Sequence, residues 1–445
     1  MWKYRFRLKT LVVFYILHSF TISGQIIDSV WTLQKCIDQA MQKNISIQER
    51  SLSNQTSQVQ ELQARAERFP SLNASVSQNF QWSKQVNLEN SYGNYEGMNG
   101  TTFGVNSSVV LYNGLRIKNS IKQAELSYQS GSYDVEALKE SVSLQVLTAY
   151  LQVLYSEEEV KNTQKQIEST SQQLSLSEER LRLGSIARSD YLQVKSELAT
   201  ENYTLASAQN QLAVNQVTLM QLMEIPVSPD FKIQHPEFDI SKGYQDNINS
   251  DSIYQLALGI KPQVKSSALN KQIAELEISI AKAGYQPSLS LSAGINSSYQ
   301  SGGANTYTNQ LMNQLVPSVG IHLSIPIYQN RQLKSSVAMA MIGISDASLQ
   351  ELNTKNQLRK NIEQATVDFN SAIIKYQASD EKFNSSKESY DVAQEKFNQG
   401  LLNSVDFLIQ KTNLINAESE LLQAKYNLVF SKKIIDFYAG IPLTF

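Results

Sequence analysis

The sequence has 445 residues, a formal net charge of −2, 41% hydrophobic residues and 18% charged residues. It contains no block of basic residues to hold a phosphate backbone, so we expect no nucleic-acid partner. The single cysteine, Cys36, cannot form a disulfide within the chain. His235 and His322 have no neighbouring ligands at metal-binding spacing, so we expect neither a metal site nor a cofactor.

The first residues predict a signal peptide over residues 1–24. Four basic residues among the first nine precede an apolar stretch from Leu11 to Phe20, which is followed by small and polar residues. That stretch is shorter than the roughly 20 apolar residues that a membrane-spanning helix needs. We therefore expect an exported protein whose leader is removed.

A first structural repeat is predicted over residues 25–226. Its elements in chain order are a helix at 32–69, strands at 71–82 and 102–112, and helices at 113–183 and 186–223. Proline is absent between Asn113 and Ile225, as long helices require. Apolar residues recur at every seventh position of the first long helix, namely Val146, Val153, Val160, Ile167, Leu174 and Leu181. This spacing indicates coiled-coil packing, although on heptads alone an ordinary soluble coiled coil is an equal alternative.

The strands of this repeat alternate between apolar and polar residues. Leu72, Ala74 and Val76 are separated by Asn73 and Ser75, and the second strand alternates in the same way. Segments of about ten residues with this pattern are typical of strands that cross an outer membrane. A half-buried strand in a soluble sheet is the alternative. The connecting segments at 83–101 and 300–316 are rich in Gly, Asn, Ser and Tyr and are predicted to face the cell exterior.

A linker is predicted at 227–250, followed by a second repeat at 251–445. The second repeat has a helix at 251–285, strands at 288–299 and 318–328, and helices at 329–399 and 402–440. A constant offset of 216 residues relates Gly184 to Gly400, Asp190 to Asp406 and Tyr112 to Tyr328. The chain is therefore predicted to be an internal duplication. Each glycine tolerates left-handed backbone geometry and marks the turn between two antiparallel helices.

Four strands are too few to close a barrel, and open sheet edges are not tolerated in lipid. Three protomers would supply twelve strands and twelve helical columns. The predicted fold is a mixed α-helical and β-barrel membrane protein, in which a homotrimer forms a 12-stranded barrel above an α-helical barrel.

The repeat resembles the TolC-like family of outer-membrane efflux proteins. The resemblance rests on the Pro-Ser-Leu strand entries at Pro70 and Pro287, the strand exits at 111–114 and 327–330, and the two glycine turns. It implies a passive exit duct in the outer membrane of a double-membrane bacterium, with the helices in the periplasm. The duct would serve tripartite efflux or type I secretion, through an adaptor and an inner-membrane transporter. A periplasmic coiled-coil adaptor or structural protein is the alternative function.

The resemblance does not imply an enzyme, and the sequence contains no nucleophile–base–acid set or phosphate loop at meaningful spacing. It does imply that the adaptor docks at the two helical tips, around Gly184, Ser185, Gly400 and Leu401. We refer to these turns as the first and second tip.

The resemblance also places a gate at the tips, with Asp190 and Asp406 near the closed end. Three copies of Asp406 around an axis would form a negative ring that selects cations. The other interpretation is a solvated carboxylate at a helix start, favoured by the helix dipole. Phe397 and Leu402 stand where better-known members carry a tyrosine and an arginine that lock the closed state, and Ile409 stands where they carry a second aspartate.

Overall fold

The computed structural model describes residues 30–84, 95–236, 249–302 and 305–444. The predicted signal peptide and the middle of the predicted linker lie outside these ranges. In the described part of the chain, no helix combines the length and apolarity that a bilayer span requires.

The first repeat consists of helices α1 (Leu33–Lys43) and α2 (Ile45–Ala66), strands β1 (Ser71–Lys84) and β2 (Tyr95–Tyr112), and helices α3 (Arg116–Arg182) and α4 (Arg188–Leu222). The second repeat consists of α5 (Ser250–Ile260), α6 (Pro262–Ala283), β3 (Ser288–Gln300), α7 (Tyr307–Asn313), β4 (Val316–Ser324), α8 (Gln332–Asn398) and α9 (Ser404–Tyr438). A strand hairpin followed by a long helical hairpin thus occurs twice, which confirms the predicted repeat architecture.

The strands form one antiparallel sheet in the order β1-β2-β3-β4. Its register places Val76 opposite Phe103, and Val105 opposite Ile295. Because side chains alternate between faces along a strand, this register collects the apolar residues on one face and the polar residues on the other. The apolar face includes Leu72, Ala74, Val76, Phe103, Val105, Val109, Leu291, Ile295, Val319 and Ile321. The polar face includes Asn73, Ser75, Asn106, Ser108, Ser290, Ser292, Asn296, Ser318 and His322.

The helices form four columns, and nearer the tips α4 also contacts α9. The helices α3 and α8 each have 67 residues, about 100 Å at 1.5 Å per residue. Nearer the sheet, α2 packs on α3, α3 on α6, and α6 on α8. Nearer the tips, α4 packs on α3, α3 on α9, and α9 on α8. The short helices α2 and α4 share one column, and α6 and α9 share another.

Two helices were predicted as continuous, at 32–69 and 251–285, and both predictions are wrong. The first helix breaks at Asn44 and the second at Lys261. Both residues have an extended backbone, with ψ of 126° and 124°. At each break a side chain reaches the end of the helix stacked on it. The Asn44 amide donates to the Leu222 carbonyl at 3.2 Å, and the Lys261 ammonium donates to the Phe437 carbonyl at 2.9 Å. Only α2 and α6 continue the columns, while α1 and α5 lie to the side.

Three further differences concern the strands and the segments that connect them. The last strand ends at Ser324 rather than 328, because the chain leaves the sheet before Pro326 and turns through positive φ at Asn330 and Arg331 into α8. The strand expected at 102–112 begins at Tyr95, where it extends its pairing with β1. The segment at 300–316 contains the short helix α7, which the sequence did not predict.

The largest apolar core lies where the stacked helices meet. Tyr150 and Leu154 of α3, Met220 of α4 and Cys36 of α1 are buried together there. The Tyr150 hydroxyl donates to the Gln234 carbonyl at 2.6 Å and so ties the chain after α4 to α3. This core fixes the heights of the half-helices and hence the positions of the two tips.

Candidate functional site

Both tips end their first helix in the same way. Gly184 and Gly400 have φ of +72° and +75°, a left-handed conformation that favours glycine. The Ser185 amide donates to the Arg180 carbonyl at 2.9 Å, and the Leu401 amide donates to the Lys396 carbonyl at 2.8 Å. These bonds cap helix ends that would otherwise leave carbonyls unsatisfied. All four predicted docking residues lie on these turns and are exposed.

The two tips of one chain are in contact. The Arg180 guanidinium, at the end of α3, donates to the Phe397 carbonyl at 3.3 Å and to the Asn398 carbonyl at 2.7 Å. It also lies 5.7 Å from the centre of the Phe397 ring. A cation at the carbonyl end of α8 is favoured by the helix dipole. Arg180 therefore joins the first tip to the second.

Asp190, which follows the first tip, also makes a contact between the two helical hairpins. Asp190 Oδ1 accepts a hydrogen bond from the Ser404 hydroxyl at 2.7 Å. Ser404 is buried in the first turn of α9, and Asp190 is half-buried. This bond fixes the start of α4 against the start of α9.

Asp406 has a different environment. Its backbone amide donates to Asn403 Oδ1 at 2.8 Å, and Asn403 Nδ2 donates to Asp406 Oδ2 at 2.8 Å. The two side chains form a reciprocal cap of α9 of the kind found at helix N-termini. Asp406 is exposed in the protomer. Its carboxylate therefore takes part in the cap of α9 and also places a negative charge on the protein surface.

Phe397 and Leu402 are apolar at the two positions where the resemblance implied a polar lock. The Phe397 ring stacks on Phe407, with centroids 4.7 Å apart, and Leu402 packs against the same cluster. Leu402 and Asp406 line a cavity of about 570 Å³ that Lys396 also borders. The structure thus brings three of the predicted gate residues to one end of the second hairpin, while Asp190 belongs to the contact between hairpins.

A buried ion pair that sequence reasoning missed joins three helices above the tips. Lys411 Nζ of α9 lies 2.7 Å from Glu201 Oε1 of α4, and the two residues are 4% and 5% exposed. Lys411 also donates to the Thr170 hydroxyl of α3. Buried charges are stable only when paired, so this contact holds the second hairpin in one position against the first.

The family model described as "Outer membrane efflux protein" matches residues 36–223 and 253–439. The two matched segments correspond to the two repeats and together cover most of the chain.

Two curated relatives match part of the chain. The alkaline protease secretion protein AprF of Pseudomonas aeruginosa is 26% identical over 190 residues, which are 42% of this chain and 38% of AprF. The outer membrane protein TolC of Escherichia coli is 26% identical over 172 residues, 37% of this chain and 34% of TolC. The chain therefore matches less than two thirds of the length of either relative.

Solved structures match over nearly the whole chain. A crystal structure of CusC has a TM-score of 0.80 at 17% identity and covers 92% of each chain. The CmeC outer membrane channel of Campylobacter jejuni has a TM-score of 0.76 at 19% identity and covers 92% of this chain and 85% of CmeC. These similarities show a shared fold.

Proposed function

Because the chain belongs to the outer membrane efflux protein family, we propose that it is the outer-membrane exit duct of a tripartite efflux or type I secretion system. One observation carries the proposal: a sheet with one apolar and one polar face sits at one end of a helical layer about 100 Å long. The apolar face suits lipid, and the polar face suits an aqueous lumen. In a periplasmic adaptor or structural protein, the apolar face of such a sheet would be exposed to water.

The sheet edges support a homotrimer. Among the described residues, β1 pairs with β2 alone and β4 with β3 alone. An unpaired edge in lipid costs several kcal/mol for each unsatisfied backbone group. Pairing β1 of one protomer with β4 of the next satisfies both edges, and three copies close a twelve-stranded barrel.

The outer helices of the layer carry exposed apolar residues that match this arrangement. The edge helices α2 and α8 lie directly below β1 and β4 and have apolar residues on their free sides, namely Ile45, Leu52, Val59, Leu62, Met339, Ile342, Leu349 and Leu352. Nearer the tips, the edge helices are α4 and α8, with Leu192, Tyr203, Val214, Val367, Ile374 and Val392 exposed. In a ring of three protomers, α8 of one chain would cover α2 and α4 of its neighbour.

A crosslink tests this arrangement. Val59 and Met339 are each 63% exposed, and each lies seven residues from the helix end nearest the sheet. Within one chain α3 and α6 separate them, so a short bifunctional thiol reagent cannot join them in a monomer. We expect a Val59→Cys, Met339→Cys protein in membranes to give covalent trimers, and either single variant to give none. Absence of trimers from the double variant, with both thiols reactive, would contradict the arrangement.

We further propose that the tips form the gate and the docking site for a periplasmic adaptor coupled to an inner-membrane transporter. The Arg180 and Asp190 contacts favour a closed tip, since they replace the polar lock that Phe397 and Leu402 cannot make. Cysteines at Ser185 or Leu401 should crosslink to adaptor in cells. Efficient crosslinking only from the opposite end, at Asn305, would invert the proposed orientation.

The class of substrate depends on which inner-membrane transporter the channel works with. The family description concerns efflux and AprF is named for protease secretion, so both remain within the proposal. The transporter that copurifies with the crosslinked adaptor would distinguish efflux from secretion.

A further inference from the structure

The short helix α7 interrupts the segment between β3 and β4. It lies against the end of β3, where Ser297 Oγ donates to the Leu311 carbonyl at 2.6 Å. The rings of Tyr299 and Tyr307 are 4.6 Å apart. Ser297 and Tyr299 continue the alternation of Leu291 and Ile295, so α7 covers the apolar face of the sheet rather than its polar face.

A buried glutamine fixes α7 in this position. Gln310 Nε2 donates to the Gln300 carbonyl at 3.1 Å and to the Asn305 carbonyl at 2.9 Å. Its Oε1 accepts from the Gln300 amide at 3.0 Å. Gln310 is 6% exposed, and both of its polar atoms have partners within the segment. The helix is therefore held to the strand by bonds that do not depend on water.

The exposed residues of α7 and of the turn after it carry no charge, and they combine large apolar side chains with the small polar side chains of Thr308, Asn309 and Asn313. Met312 is 77% exposed, and Tyr307 and Leu315 are also exposed. The segment 300–316 contains no Asp, Glu, Lys or Arg, whereas the other connection, 83–101, contains Lys84, Glu89 and Glu96. The two connections, both expected to face the cell exterior, thus differ in charge.

The height of α7 on the sheet is set by β3. Leu289 to Tyr299 spans ten residues, roughly 34 Å along a strand, or about 26 Å along the membrane normal at the usual tilt. The apolar band of such barrels is about 25 Å tall and ends in an aromatic girdle. Tyr299 and Tyr307 stand at this upper limit.

We propose that α7 is an interfacial anchor, seated against the apolar chains of outer-leaflet lipid, and not a loop exposed to the external medium. This inference rests on the proposed function, in which the apolar face of the sheet meets lipid. Tyr307, Met312 and Leu315 extend that face at its outer rim, and the lack of charge keeps the segment compatible with the acyl boundary.

Nitroxide accessibility in the full-length channel, reconstituted in phospholipid liposomes, tests this placement. Single cysteines replace Met312, Leu315, Ile321 or Ser318. The unmodified chain is the labelling control, because Cys36 is fully buried and burial raises the pKa of its thiol to about 12. Met312 and Leu315 labels should collide with oxygen and lose collisions with a water-soluble nickel chelate, as Ile321 does, whereas Ser318 should show the reverse.

The outcomes separate the two proposals. If Ile321 reports lipid while Met312 and Leu315 both report water, the α7 inference is overturned and the proposed function stands. If Ile321 reports water, the membrane placement of the sheet itself is wrong.

Discussion

Replacing Lys411 by Met should destabilise the helical part of the channel, because Glu201 would remain buried without a cation. The pair is almost fully enclosed, and Glu201 Oε2 already has no hydrogen-bond partner among the described residues. Breaking a buried pair on one side costs about 3–5 kcal/mol. An exposed pair contributes about 0–1 kcal/mol, and the exposed pair of Lys382 in α8 with Glu420 in α9, 48% and 51% exposed, supplies that comparison.

The assay is a double-mutant cycle. Denaturant unfolding of the purified channel in detergent, followed by far-ultraviolet circular dichroism, gives the free energies for Lys411→Met, Glu201→Leu and the double variant. We expect each single change to be costly and the double variant to recover most of the loss, since an apolar pair of similar volume often replaces a buried ion pair without cost. Lys382→Met should cost less than about 1 kcal/mol. A Lys411→Met cost equal to that of Lys382→Met would refute the reasoning.

Three other predictions concern the tips and the stacking junction. Asp406→Asn should lower cation preference and weaken block by trivalent cations in planar bilayers, with little effect from Asp190→Asn; unchanged selectivity would leave Asp406 only its capping role. Gly400→Ala should lower the melting temperature, because a left-handed residue with a Cβ costs about 1–2 kcal/mol, whereas Gly343→Ala, in open space within α8, should be neutral or stabilising; equal effects would contradict the role of φ. Burial lowers the pKa of Lys261 below its usual 10.5, so below pH 10.5 this residue binds more protons in the unfolded chain, and its contribution to stability rises with pH there. Lys261→Met should therefore make the free energy of unfolding rise less steeply with pH than in the unmodified chain, and an unchanged pH profile would count against this prediction.

The sequence was sufficient where a pattern was local or periodic. Gly184 and Gly400 mark the tips because few other residues adopt positive φ at a helix end. The strand alternation predicted a sheet with one apolar and one polar face, since the strand register places the apolar residues of all four strands on the same face. Duplication then located the second copy of each element.

The two helix breaks differ in how strongly the local sequence signals them. Pro262 lacks an amide hydrogen and forces Lys261 toward an extended backbone, so the break between α5 and α6 was visible in the sequence. Asn44 gives a weaker signal, because its capping role depends on Ser46 nearby and on Leu222, which is distant in sequence. Such a partner becomes apparent only when the helices are stacked.

The contacts between hairpins could not be predicted from the sequence. Lys411 and Glu201 are 210 residues apart, and charged residues on a heptad helix usually face solvent. Arg180 and Ser404 look equally ordinary. Their partners are brought together by the packing of the first helical hairpin, α3 and α4, against the second, α8 and α9, which no local pattern encodes.

We propose that three copies of this chain form one channel. Native mass spectrometry of the protein extracted from membranes in mild detergent tests it most directly. We expect a single species of three times the mass of the processed chain, present only in the membrane fraction. A monodisperse monomer that remains in solution without detergent would contradict it.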